Sequence, residues 1–149
     1  MAGAAAEVLL RAPMSELERE QLRTYLQSVA SCIENNAFWL AGQPFFFWRE
    51  ETAAADDAWD TDALGWHPRG CIGFAAGCRG ASSDAYLAML AARVAQMFGG
   101  VVALGGHIDW LGEDAILVME GRYAGQHEDY VTPEFLHYWI GHPKLRMIN

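Results

Sequence analysis

The segment SSDAYLAMLAARVAQMFGGVVAL, Ser82 to Leu104, sets the fold class of this chain. Tyr86, Leu87, Leu90, Val94 and Met97 recur at helical spacing and share one face. Ala85, Ala88, Ala91, Ala92 and Ala95 keep the helix slim enough to pack closely on a neighbour. Ser82 or Ser83 offers an N-cap, and Gly99-Gly100 ends the helix because glycine accepts the left-handed turn after a last helical residue. Val101 to Leu104 then reads as a strand after a tight turn. A helix over 83–98 that feeds directly into a short strand points to mixed helix and sheet.

The flanking sequence extends this pattern. Glu7–Arg11 is a short apolar run, read as a strand, and Ala12-Pro13 breaks it. Ser15-Glu16-Leu17-Glu18 is a capping box, in which each polar side chain satisfies the other residue's free amide. Leu22, Tyr25, Leu26, Val29 and Ile33 follow at helical spacing, which predicts a helix over 16–31. Asn35-Asn36 marks a turn. The aromatic runs 37–41 and 45–49, separated by Gly42-Gln43-Pro44, read as an antiparallel pair. Gly70 to Cys78 (GCIGFAAGC) fits a strand, although its glycines weaken it. Ala115–Glu120 (AILVME) is a further apolar strand. Thr132-Pro133-Glu134 starts a helix over 133–141, with Phe135, Leu136, Trp139 and Ile140 apolar, stopped by Gly141 and Pro143. The expected order is β-α-β-β-β-α-β-β-α: one α+β domain over residues 1–149, with about three helices on one face of a mostly antiparallel sheet. Leu22, Leu26, Leu90, Val94 and Trp139 are its expected core.

Composition supports a packed domain. Of the 149 residues 52% are hydrophobic, with six Trp, five Tyr and seven Phe, which excludes a disordered chain. No apolar run approaches the ~20 residues of a membrane helix. The first residues lack the basic start of a signal peptide, so a cytoplasmic location is expected. Cys32, Cys71 and Cys78 are an odd set with no CxxC spacing, read as three buried, reduced thiols.

Charge is the strongest functional signal. Nineteen acidic residues against ten basic leave a net charge of −9. Glu50, Glu51, Asp56, Asp57, Asp60 and Asp62 fall in one stretch with no Lys or Arg between Arg49 and Arg69. Such a field attracts a basic partner and repels nucleic acid and anionic membranes. The stretch 50–65 has no clear period and reads as a long loop with at most a helical turn. Trp59 and Trp66 flank its acids. Either they anchor an interface while the carboxylates steer association, or Trp59 tucks into the core and pins the loop. The acids themselves also fit a solvated face without a partner.

Catalytic signatures are missing from the sequence. There is no GxxxxGK[ST] loop and no GxSxG elbow, and Gly70, Gly73, Gly77 and Gly80 do not match GxGxxG. His137 and His142 lie five apart, which is wrong for a metal pair on one helix face. His107 and Asp109 offer two ligands without a third. His67 and His142 precede prolines and fit turn anchors, and His137 fits a helix edge beside Trp139. The acidic loop lacks the alternation of a calcium loop. No catalytic residue, metal ligand or cofactor is therefore expected.

Three segments, AFWLAG (37–42), LAARVAQMFGGVVALGG (90–106) and FLHYWIGHPKLRMIN (135–149), resemble a group of small bacterial proteins. That group has a helix ending in FGG, a strand ending in GG, and a C-terminal W-x-x-H-P-x-x-R-M-I motif. Here the motif is carried by Trp139, His142, Pro143, Arg146, Met147 and Ile148. These proteins look like immunity proteins of polymorphic toxin systems. The resemblance implies a stoichiometric binder that blocks a cognate toxin in the producing cell. A regulatory or adaptor domain shares the same surface physics. A small-ligand-binding domain or enzyme with a pocket at His107, Asp109, Trp110 and His67 is the third reading. The sequence sets no oligomeric state.

Overall fold

A computed structural model describes residues 3–51, 59–108, 121–140 and 147. Along the chain run β1 (Ala5–Leu10), α1 (Glu16–Val29), β2 (Cys32–Glu34), β3 (Ala37–Leu40), β4 (Gln43–Glu51) and α2 (Thr61–Leu64). Then come β5 (Gly70–Ala76), α3 (Ala81–Phe98), β6 (Val101–Ala103), β7 (Arg122–Ala124), β8 (Asp129–Val131) and α4 (Pro133–Ile140). The strands form one sheet in the order β2-β3-β4-β5-β1-β6-β8-β7, and every described pairing is antiparallel. This is the expected α+β class. The expected strand over 115–120 lies outside the described residues.

Strand β1 lies between β5 and β6 and is antiparallel to both, with Glu7 opposite Gly73 on one side and Ala103 on the other. Strands β5 and β6 are therefore parallel to each other, and α3 is the crossover that joins them. That crossover is the Ser82–Leu104 segment. Its Gly99 takes the left-handed C-cap with φ 70° and returns its N–H to the Ala95 carbonyl. The next residue, Gly100, sits so close to the Leu9 carbonyl that a side chain would collide with it, so the strand can enter directly beside β1.

Helices α1, α3 and α4 cover one face of the sheet. Val8 and Leu10 of β1, Phe45, Ile72, Phe74, Val102 and Val131 meet Leu22 and Leu26 of α1, Leu87, Leu90 and Val94 of α3, and Leu136 and Trp139 of α4. All five expected core residues are at most 2% exposed. Met147 joins this core and its N–H reaches Asp84 Oδ2 at 3.2 Å. Of the C-terminal motif, Trp139 and Met147 are thus core residues, while His142, Pro143, Arg146 and Ile148 lie outside the described residues.

The capping box forms as expected: Glu18 N–H donates to Ser15 Oγ at 3.1 Å and Ser15 N–H to Glu18 Oε1 at 3.0 Å. Phe135 N–H donates to Thr132 Oγ1 at 3.3 Å, which starts α4 at Pro133. Other expectations change. The N-cap of α3 is Gly80, not a serine. Ser82 and Ser83 lie inside the first turn, where Gln43 takes both: its Nε2 donates to Ser82 Oγ at 2.9 Å and its Oε1 accepts from Ser83 Oγ at 2.6 Å. Helix α1 ends at Val29, and Ile33 belongs to β2, a strand the sequence did not announce; β7 and β8 are likewise new. The cysteines are free, but only Cys71 is buried; Cys32 and Cys78 are exposed. Both belong to segments at the rim of the sheet, which bury less than its centre.

Candidate functional site on the second face of the sheet

Alternation along the strands turns every second side chain away from the helices. Across the middle of the sheet the register aligns Trp48, Gly73, Glu7, Ala103 and Tyr130 on that second face. The indole of Trp48 lies flat against Gly73, where any Cβ would overlap the ring. A glycine in the middle of β5 thus makes room for a neighbouring tryptophan. One step along, Glu50 stands opposite Cys71 and Cys71 opposite Leu9. Cys71 Sγ donates to Glu7 Oε2 at 3.1 Å. Burial, reinforced by the Glu7 charge, pushes the Cys71 thiol far above its ordinary range. A thiol so held is not a nucleophile at neutral pH.

This face has two halves. Toward β6 and β8, the segment from Trp59 to Trp66 lies over it: Trp59, Ala63 and Trp66 pack on Leu9, Leu64, Cys71, Ala103 and Tyr130. The Arg11 guanidinium stacks on Trp66, 4.5 Å from the ring centroid. Asp60 ties this segment down. Its carboxylate accepts from Ala63 N–H at 3.1 Å, capping α2, and from Gln126 N–H at 2.9 Å, while its own N–H donates to Tyr130 Oη at 2.9 Å. The Ala63 and Gln126 amides hold the Asp60 carboxyl below the usual carboxylate range. Toward β2, strands β3 and β4 place Trp39, Phe46 and Trp48 on the same side, beside the exposed Glu34 and Glu50. Phe46 is 42% exposed, a large apolar side chain left in water.

The expected site residues therefore separate. Glu50 is exposed at the end of β4, and Asp62 is exposed on α2. Glu51 closes β4. Asp56 and Asp57 lie outside the described residues. Asp60 has a structural task, and Trp59 and Trp66 are half-buried in the small cluster; of the two readings of Trp59, the geometry follows the one in which it pins the segment. Sequence reasoning passed over Trp39, Phe46, Trp48 and Glu34. The signal was present in FFFW (45–48): alternation puts Phe45 and Phe47 toward the helices and Phe46 and Trp48 away from them.

Of the two ligands offered by the HxD, Asp109 lies outside the described residues. His107 Nδ1 meets Asp129 Oδ1 at 3.1 Å, with Nε2 3.3 Å from the Gln126 carbonyl. Asp129 is fully buried and also accepts from Ile108 N–H at 2.7 Å and from Arg122 Nε and Nη2, each at 3.0 Å. With an acceptor at each ring nitrogen, the charged imidazolium is favoured and the His107 pKa is raised, first by the Asp129 hydrogen bond. This constellation clamps the 104–108 loop to β7 and β8. Among the described residues no group of three His, Cys, Asp or Glu is arranged to hold a metal ion. No helix among them is long and apolar enough to cross a membrane.

The chain belongs to a family of unknown function, DUF6368, which it matches over residues 2–149. No curated protein and no solved structure matches it.

Proposed function

We propose that this chain is an immunity protein: a cytoplasmic, stoichiometric binder that docks the second face of its sheet on a basic surface of a cognate bacterial toxin and blocks it. The observation that carries this reading is the aromatic strip of exposed Phe46 between half-buried Trp39 and Trp48, lying beside the exposed Glu34 and Glu50. Aromatics supply desolvated area that holds a complex, and carboxylates steer its formation. The net charge of −9 favours the same class of partner. Glu51, Asp56, Asp57 and Asp62 extend the acidic field along the chain, while Asp60, Trp59 and Trp66 belong to the segment that covers the neighbouring half of the face. The binder has no turnover, metal or cofactor in this reading.

The test starts by capturing the partner on the tagged chain from the producing bacterium. It is then measured by association kinetics across a salt series and by the partner's toxic activity. The reading expects a toxin silenced at one-to-one stoichiometry and an on-rate that falls as salt rises, since screening contracts the field to about 8 Å at physiological ionic strength. Glu34→Gln with Glu50→Gln should slow association, and Phe46→Ser should speed dissociation. A captured partner whose activity is untouched, or an interface insensitive to all three changes, overturns it.

A further inference from the structure

On the opposite side of β4, the acidic chain gathers its cations. Arg19, Arg23 and Gln27 are spaced four apart on α1, one stripe beside the buried Leu22 and Leu26. Phe45 and Phe47 face the helices, and Arg49, two residues further along β4, emerges on that same side. Between α1 and the β2–β4 edge these residues line a cavity of about 260 Å³, floored by Leu22, Leu26, Ile33 and Phe47. Arg19, Arg23 and Arg49 all line it, three of the ten basic residues of the chain, and among the described residues no carboxylate does. A second cavity of about 510 Å³ adjoins it through Arg19, Asn35, Phe47 and Arg49, and Glu50 is the one acid among the described residues of its wall. The Arg23 pair with Glu20, at 3.1 Å, has both side chains more than 60% exposed, so it is weak and easily exchanged for a stronger anion.

We propose that this groove binds a small organic anion: a phosphate-bearing head held by the three guanidiniums, with an apolar or aromatic body on the Leu22–Phe47 floor. Guanidinium forks match phosphate oxygens bidentately, and asparagine and glutamine amides at the rim supply neutral donors. The two cavities together reach the size range of small-molecule sites. The net charge of −9 disfavours anions overall, so three arginines on one cavity wall make a local departure from the chain's general field. The smaller cavity opens on the helix side of β4, whereas the larger also takes in Trp48 and Glu50 of the proposed docking face, so the two sites adjoin; phosphate titration reads this one without the toxin.

Phenyl phosphate and inorganic phosphate are the probes, titrated into the full chain by calorimetry and by amide chemical shifts. Phenyl phosphate should bind saturably in the millimolar range or better, more tightly than inorganic phosphate, and shift the amides of residues 19–27 and 47–49. Arg19→Gln with Arg49→Gln should weaken it by about tenfold or more, as expected for lost charge-assisted hydrogen bonds. These side chains border solvent, so the melting temperature should hold. Arg79→Gln, beyond the far end of β5, should change nothing. No saturable binding up to about 10 mM, which is weaker than any site of this kind needs to be, overturns the proposal. Equal loss in the Arg79 variant, or unchanged binding in the double variant, also overturns it.

Discussion

The two faces of the sheet use the same strands for different ends. On the helix side, Val8, Phe45, Ile72, Phe74 and Val102 are fully buried against three helices, with aliphatic and aromatic carbon on every side. On the other side, the same strands present Glu7, Glu50, Cys71, Trp48 and Tyr130, and the described cover is the short Trp59–Trp66 segment. The helix side buries enough apolar area to dominate stability. The second face needs only to be held in shape, and it does so with single polar ties. Groups that react to charge, pH or a partner are therefore free to occupy it.

The largest effect should come from damaging the helix side. Leu90 is 2% exposed in the middle of α3, so Leu90→Ala should cost roughly 2–5 kcal/mol in chemical denaturation, through lost transfer energy and the cavity left behind. A loss under about 1 kcal/mol would mean that stability is spread over both faces.

A middle-sized effect belongs to the tie on the second face. Asp60→Ala removes the α2 cap and the anchor of Gln126, and should cost about 0.5–2 kcal/mol. The neighbouring Asp62, exposed and outside that network, should be replaceable by Asn with less than about 0.5 kcal/mol of change. Equal effects at the two positions would return Asp60 to the acidic surface and break the distinction drawn between them.

The smallest effect is the pH response of His107. Its pKa is raised above the ordinary 6.5 by Asp129 and the Gln126 carbonyl. The imidazolium therefore favours the folded state at pH below 6.5, and that contribution is lost as pH climbs from 6.5 through the raised value. The midpoint of unfolding should drift down over this window, and His107→Gln should flatten the drift without altering the Leu90→Ala loss. A drift that survives His107→Gln would place the titrating group elsewhere.

Legibility in sequence followed the range of the forces involved. The capping box at Ser15, the Thr132-Pro133 start and the Gly99 stop were readable because each is closed by residues within about four positions of one another. The amphipathic stripes of α1, α3 and α4 identified Leu22, Leu26, Leu90, Val94 and Trp139 as core for the same reason: a helix repeats its own pattern. Charge and the acidic stretch were equally plain, since they are sums over residues. The strands β2, β7 and β8 were not, because three residues carry too short a period to distinguish, and their pairing is supplied by partners elsewhere in the chain. Ser82 and Ser83 had the chemistry of a cap, but Gln43, 39 and 40 residues away, claims both hydroxyls.

The candidate site divides along the same line. The sequence alone determined that this is an acidic α+β chain with three main helices, and that Glu50 to Asp62 concentrates its negative charge. Only the tertiary structure decided which side of β4 each aromatic takes in the assembled sheet. It also decided that Asp60 caps α2 and holds Gln126, that His107 meets Asp129, and that Arg19, Arg23 and Arg49 converge on one cavity. Local hydrogen bonds and helical periodicity are written in neighbouring residues, whereas convergence depends on which distant segments the packing of the core brings together.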